Sequence, residues 1–122
     1  MNMTLGESHD KTYTCTCGVF TRSNLEPAYK KHWCCGKCRL RLKIYMDDGN
    51  GNVYTVIRRP ANEVKVYDCV VYRENHGLAG SDITHSHQSG TKWFLNVRGY
   101  NAGTMPSDTY VNIEYNGVFP TP

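Results

Sequence analysis

Two pairs of cysteines separated by 17 residues most strongly constrain what this chain can fold into. Cys15 and Cys17 flank one residue, Cys35 and Cys38 flank two, and each pair has a glycine beside or within it. Short turns of this kind aim four sulfur atoms at one point, which is what a tetrahedral zinc ion requires. The spacing therefore predicts a zinc ribbon that holds one Zn²⁺ per chain through these four cysteines.

Two neighbouring residues leave the ligand set partly open. Cys34 is an alternative to Cys35, because adjacent residues on extended backbone point to opposite sides and only one should reach the ion. His32 is an alternative to one of the sulfurs. With four protein ligands no coordination position stays open for water or substrate, so the predicted ion is structural rather than catalytic.

Whether the six cysteines bind metal or form disulfides depends on the cellular compartment in which the protein resides. The first thirty residues contain no apolar segment typical of a secretory signal. The longest uninterrupted apolar stretch, residues 69–72, is far shorter than the ~18 residues that cross a bilayer. We expect a soluble protein without a membrane partner, made in the reducing cytoplasm, where cysteines favour metal over three disulfides.

Positive charge is concentrated around the cysteines. Residues 11–43 carry eight basic side chains and one acidic one, a net charge of +7, whereas residues 44–122 carry six basic and eight acidic ones. This concentration predicts an anionic partner, and the candidate residues that contact it are Lys30, Lys31, Lys37, Arg39, Arg41 and Lys43.

The partner's class is left open by this charge. On an extended strand, Arg39, Arg41 and Lys43 form a row with a spacing of about 6–7 Å, which can follow a phosphate backbone. An acidic patch on another protein suits the same charges. A solvent-facing side of a strand is also commonly basic without any partner.

Alternating apolar and polar residues predict an all-β fold. The clearest strand covers residues 39–46, and the sequence Asp-Gly-Asn-Gly at 48–51 predicts a hairpin after it. The other predicted strands are 53–58, 64–72, 93–98 and 110–115. The polar residues 73–91 are predicted to be an exposed loop.

These elements predict an N-terminal zinc ribbon that continues into a small antiparallel β-sandwich or open barrel. The predicted divisions are a polar N-terminal arm at residues 1–12, the ribbon at 13–43 and the antiparallel β domain at 44–122.

The ribbon also carries a family pattern. Tyr-x-Cys-x-Cys, a basic loop and Cys-x-x-Cys-x-x-x-Leu follow one another in residues 13–42, about a quarter of the chain. This pattern resembles the C-terminal zinc ribbon of SprT-like metallopeptidases, and the resemblance implies a zinc-binding ribbon. The HExxH peptidase motif of that family is absent, so protease activity is not implied.

Catalytic patterns are otherwise scarce. His85 and His87, with Asp82 and His76 nearby, are candidates for a second metal site or an acid–base pair, although their Ser- and Gln-rich neighbours favour a solvated loop. The sequence contains no phosphate-binding glycine loop, nucleophile elbow or paired carboxylates. We therefore expect no enzyme activity.

Two functions fit these observations. The first is a structural or interaction protein in a homo- or hetero-oligomeric assembly; its Tyr-, Asn-, Gly- and Thr-rich strands are typical of a phage virion accessory protein of the capsid or tail. The alternative is a nucleic-acid-binding zinc ribbon that regulates or inhibits a host complex.

Overall fold

The all-β prediction is confirmed by the computed structural model, which describes residues 5–74 and 77–115, without the side chains of 100–102. Parts of the predicted arm (1–4) and of the predicted β domain (116–122), and His76, lie outside the described residues. No helix in the described ranges has the length and apolar character needed to span a membrane.

Nine strands within those ranges form one antiparallel sheet, which does not close. They are β1 (Asp10–Cys15), β2 (Gly18–Thr21), β3 (Lys43–Asp47), β4 (Val53–Pro60), β5 (Cys69–Glu74), β6 (Gly77–Ser89), β7 (Lys92–Val97), β8 (Tyr100–Met105) and β9 (Tyr110–Glu114). Their order is β2-β1-β3-β4-β9-β5-β6-β7-β8. Three short 3-10 helices accompany them: η1 (Glu7–His9), η2 (Pro27–Lys31) and η3 (Ala61–Glu63).

Both faces of the central strands are buried. Val56 and Ile57 are consecutive in β4 and so point to opposite faces, yet their exposed fractions are 0% and 2%. The buried apolar residues form two clusters, which we call the first core and the second core. The first core contains Tyr13, Leu25, Trp33, Cys35, Leu42, Ile44, Met46, Val56, Val71 and Leu78. The second core contains Ile57, Ala61, Val64, Val70, Tyr72, Ile83, Leu95, Val97, Val111 and Ile113.

The prediction of an exposed loop at residues 73–91 is wrong, because most of this segment is β6, a strand of 13 residues. Its first half pairs with β5 and its second half with β7, with a register shift between Ile83 and His85. Its two buried apolar residues, Leu78 and Ile83, belong to different cores. A strand that changes partner and bulges in this way shows no regular alternation of apolar residues.

Two other predicted strands begin later than expected. The strand predicted at 39–46 begins at Lys43, since Arg39 has a φ of 63°, which is incompatible with extended backbone. The strand predicted at 64–72 begins at Cys69, because the Asp68 side chain accepts a hydrogen bond from the Lys65 amide at 2.8 Å and closes a turn there. The hairpin predicted at 48–51 is confirmed between β3 and β4.

The predicted divisions of the chain fall inside strands. Tyr13 of β1 pairs with Ile44 of β3, so the predicted boundary after residue 12 lies within β1 and the one after residue 43 lies within β3. The cysteine-rich segment is thus continuous with the sheet and contributes Trp33 and Leu42 to the first core.

A buried ion pair lies between the sheet and the cysteine-rich segment. Arg58 and Asp10 are both 0% exposed, and the two guanidinium Nη atoms donate to the two Asp10 carboxylate oxygens at 2.9 and 2.8 Å. Arg58 Nε donates to Asn112 Oδ1 at 2.7 Å, and its guanidinium lies 4.2 Å from the centre of the Trp33 ring. Tyr13 Oη donates to Asp10 Oδ2 at 2.6 Å. The charges are therefore fully satisfied by neighbouring groups.

Sequence reasoning missed this network. Charged side chains are rarely buried completely, so the sequence alone gives no reason to place Arg58 in the interior. The available signal was its position two residues after Val56, which places both on the same face of β4. The network also reaches the start of the described chain, because Asn112 Nδ2 donates to the carbonyl of Leu5 at 2.8 Å.

We predict that Asp10→Ala lowers the free energy of unfolding by about 3–5 kcal/mol, because it leaves the buried Arg58 charge without its partner. Urea unfolding followed by circular dichroism measures the change. Asp82→Ala is the matched control: it breaks the exposed pair that Asp82 forms with Arg98 at 3.6 Å and should change stability by less than about 1 kcal/mol. Equal effects of the two substitutions would show that the network is not essential.

Candidate metal centre

The first pair of cysteines lies at the tip of the β1–β2 hairpin. Cys15 is paired with Gly18, so that Thr16 and Cys17 form the turn. The Cys17 amide donates to Cys15 Sγ at 3.3 Å, as expected of a turn that wraps around a sulfur. Gly18 has a φ of 141°, which glycine adopts without the strain of a side chain. We call residues 15–18 the first knuckle.

The second pair lies at the tip of a shorter hairpin. The Leu42 amide donates to the Trp33 carbonyl at 3.0 Å, and the Cys35 amide donates to the Leu40 carbonyl at 2.9 Å. At the tip, the Lys37 amide lies 3.4 Å from Cys35 Sγ and donates to it. We call residues 35–39 the second knuckle. Its base is buried in the first core through Trp33 and Leu42.

The two knuckles bring the four predicted cysteines together. The sulfur atoms of Cys15, Cys17, Cys35 and Cys38 all lie within 4.8 Å of one another. With zinc–sulfur bonds of about 2.3 Å, sulfurs around one ion are about 3.8 Å apart, so small side-chain adjustments suffice to bind it. This cluster is able to hold a metal ion, as predicted. No other comparable group of His, Cys, Asp or Glu occurs in the described part of the chain.

The alternative ligands lie outside this cluster. Cys34 Sγ donates to the His32 carbonyl at 3.3 Å, and His32 Nδ1 lies 3.1 Å from the Tyr110 hydroxyl. The remaining cysteine, Cys69, was not predicted to be a ligand, and it lies on β5 in the central part of the sheet. The geometry thus favours Cys35 over both Cys34 and His32 as the ligand.

Hydrogen bonds prepare two of the sulfurs to bind a cation. The pKa of Cys38 is lowered to about 6, chiefly by a hydrogen bond from the Thr16 side chain and also by the Leu40 amide. The Cys38 amide likewise lowers the pKa of Cys35. Burial has the opposite effect on Cys15 and raises its pKa to about 12. The four thiols are close enough to titrate as one interacting set, so that the steps of proton loss belong to the whole cluster.

The predicted row of cations along a strand is not formed. Arg41 is already paired, because its guanidinium donates to the Glu63 carboxylate and to the Arg58 carbonyl, both at 2.9 Å. The Lys43 ammonium lies 4.9 Å from the centre of the Tyr115 ring. Arg39 precedes the strand in a left-handed conformation. Tertiary contacts therefore remove the regular spacing that a phosphate backbone would match.

The other predicted cations lie on and next to the second knuckle. Lys31, Lys37 and Arg39 are exposed, and Lys30 is half-buried. Within this region is an apolar depression of about 380 Å³, whose lining includes Ala28, Tyr29, Gly36 and Arg39. We call residues 28–32 and 36–39, with this depression, the second-knuckle surface.

The predicted histidine site gains no support from the structure. His85 and His87 are exposed on β6, where His85 Nδ1 lies 3.1 Å from Thr84 Oγ1 and the His87 ring lies 5.1 Å from the Phe94 ring. Among the described residues, no third ligand completes a metal cluster with them.

Comparison of the chain with protein-family models, with curated proteins and with solved structures found no match. The resemblance of residues 13–42 to the ribbon of SprT-like metallopeptidases therefore stays a prediction. What this site does has to be argued from its own geometry.

We predict that Cys15→Ser and Cys38→Ser each reduce bound metal from about one ion per chain to almost none, since a closed four-ligand site tolerates no missing sulfur. Elemental analysis of protein purified without chelators measures this. Cys34→Ser and Cys69→Ser are the matched controls and should retain the metal. Loss of metal from either control would mean that the ligand set is different.

We predict that Arg39→Gly stabilises the protein by roughly 0.5–1 kcal/mol, because a left-handed conformation is strained for arginine but not for glycine. Arg39→Val should destabilise it, since a β-branched residue is least tolerated at a φ of 63°. Urea unfolding of the metal-loaded variants measures both. Equal unfolding free energies of the Arg39→Val and Arg39→Gly proteins would contradict the strain argument.

Proposed function

We propose that this protein is a non-enzymatic interaction protein. In this proposal a structural zinc ion joins the two knuckles, and the second-knuckle surface binds an acidic patch on a larger protein assembly. The observation that carries the proposal is the combination of exposed cations with an apolar depression beside the four-cysteine cluster.

Zinc is the proposed ion because four thiolates in a tetrahedral arrangement are its usual structural site. The chain also needs such an ion here. Between the two cysteine pairs, in residues 18–34, only Leu25 and Trp33 are buried. So little apolar burial cannot by itself order the segment, and metal binding supplies the missing stabilisation.

A protein partner suits the second-knuckle surface better than a nucleic acid. Protein interfaces commonly have an apolar centre and a charged rim, which is the arrangement around Ala28 and Tyr29. A phosphate backbone calls for a series of free cations, and Arg41 is instead paired with Glu63. The turn-rich β composition is our reason for proposing a phage particle as the assembly. Nucleic-acid binding is the second candidate, supported by Lys31, Lys37 and Arg39.

We predict that a photo-crosslinking amino acid at position 28 of the full chain, expressed in its native source, yields one discrete protein adduct. The adduct should disappear when Lys31, Lys37 and Arg39 are changed to Gln, because the rim then no longer attracts an acidic patch. Mass spectrometry of the adduct identifies the partner. The same amino acid at Val53, which is 49% exposed on β4, should give no adduct.

A matched triple variant tests whether charge alone is responsible. Lys65, Arg73 and Arg98 are exposed outside the second-knuckle surface, and changing them to Gln removes the same charge. This control variant should still form the crosslinked adduct from position 28. An adduct that survives loss of the three knuckle cations contradicts the proposed docking surface. Micromolar binding to random DNA or RNA with a steep salt dependence, lost only in the knuckle variant, would support the second candidate instead.

A further inference from the structure

A second depression, of about 220 Å³, lies beside the second core. It is lined by Asn62, Gln88, Thr91, Lys92, Trp93 and Ser107. Trp93 packs against the second core, whereas the cysteine knuckles pack against the first core on the other face of the sheet. This depression is therefore separate from the metal centre and plays no part in the function proposed above.

Hydrogen bonds hold the frame of this depression in place. The Asn62 amide donates to the Ser107 carbonyl at 3.1 Å, which joins η3 to the turn between β8 and β9. Trp93 Nε1 donates to Ser86 Oγ at 2.9 Å, and that hydroxyl donates to the Val64 carbonyl at 2.6 Å. The indole is thus fixed in orientation, so that little freedom is lost when a ligand contacts it.

The polar lining is largely unused by the protein itself. Among the described residues, the side chains of Asn62, Thr91 and Ser107 form no hydrogen bond, ion pair or ring contact. Gln88 Nε2 donates to the Gly90 carbonyl at 3.1 Å, which leaves its amide oxygen free to accept. Amide and hydroxyl side chains can both donate and accept. Lys92 adds one positive charge, and no carboxylate lines the depression.

We propose that this depression binds one saccharide ring that carries a carboxylate. Each sugar hydroxyl both donates and accepts, which matches the amide and hydroxyl lining, while the apolar face of the ring suits the indole of Trp93. The carboxylate would pair with Lys92. The volume is below the ~300–1,000 Å³ of sites that enclose drug-sized ligands, so it suits a single ring at the end of a glycan.

A nucleobase fits the same depression less well. Base recognition depends chiefly on stacking over an open aromatic face. A saccharide is held mainly by hydrogen bonds and needs only the exposed part of the half-buried Trp93 indole. The observations therefore favour a saccharide.

The test is a titration of the full-length, metal-loaded protein with methyl glucuronide and methyl glucoside, followed by nuclear magnetic resonance. We expect the indole N–H of Trp93 and the amides of residues 62, 88–92 and 107 to shift on saturation. The dissociation constant for the glucuronide should be on the order of 1 mM, and the neutral glucoside should bind about fivefold more weakly.

Exposed-residue variants keep the test independent of folding. Asn62→Ala should weaken glucuronide binding about fivefold, and Lys92→Gln should remove the preference for glucuronide over glucoside. Lys65→Gln, an exposed cation outside the depression, should change neither. Shifts confined to other residues, no saturation at roughly 50 mM sugar, or tighter binding of a nucleoside monophosphate at the same residues would each overturn the proposal.

Discussion

The buried pair of Arg58 and Asp10 is the interaction on which the rest of this structure depends. Two charges that are removed from water destabilise a fold unless every donor and acceptor is matched, and here Asn112 and the Trp33 ring complete the environment of the guanidinium. Trp33 begins the hairpin that carries the second knuckle. Because the sheet fixes Arg58, and Arg58 fixes Trp33, the position of the second pair of cysteines is set by the centre of the sheet.

The ion pair and the four-cysteine cluster lie at opposite ends of the same segment. Strand β1 carries Asp10 at its start and Cys15 at its end, so that it contributes to both. The ion pair holds the bases of the two hairpins against the first core, and a metal ion would hold their tips. Residues 18–34 bury only Leu25 and Trp33, so in the proposed function this segment depends on both constraints. This division explains how a basic, polar segment can be rigid enough to present a defined surface.

The features that the sequence reveals are the local ones. The sulfur cluster follows from the spacing of four cysteines, and the β3–β4 hairpin follows from its Asp-Gly-Asn-Gly turn. Strand β6 escapes detection because it changes partner and core halfway along, which destroys the alternation. The burial of Arg58 cannot be predicted from nearby residues, because it depends on Asp10, which is 48 residues away in the sequence. The predicted row of cations is absent for the same reason, because Arg41 forms an ion pair with Glu63, which is distant in the sequence.

The two proposed binding surfaces are kept apart by the sheet itself. The second-knuckle surface is supported by the first core, and the polar depression is built by η3, the β6–β7 hairpin and the β8–β9 turn around the second core. Strand β9 is the link between them, because Asn112 faces Arg58 while Val111 and Ile113 face the second core. The strand is thus packed between the two cores and has little freedom to move independently of either. Because the two proposed surfaces rest on different cores, neither proposal requires the other, and each can be tested separately.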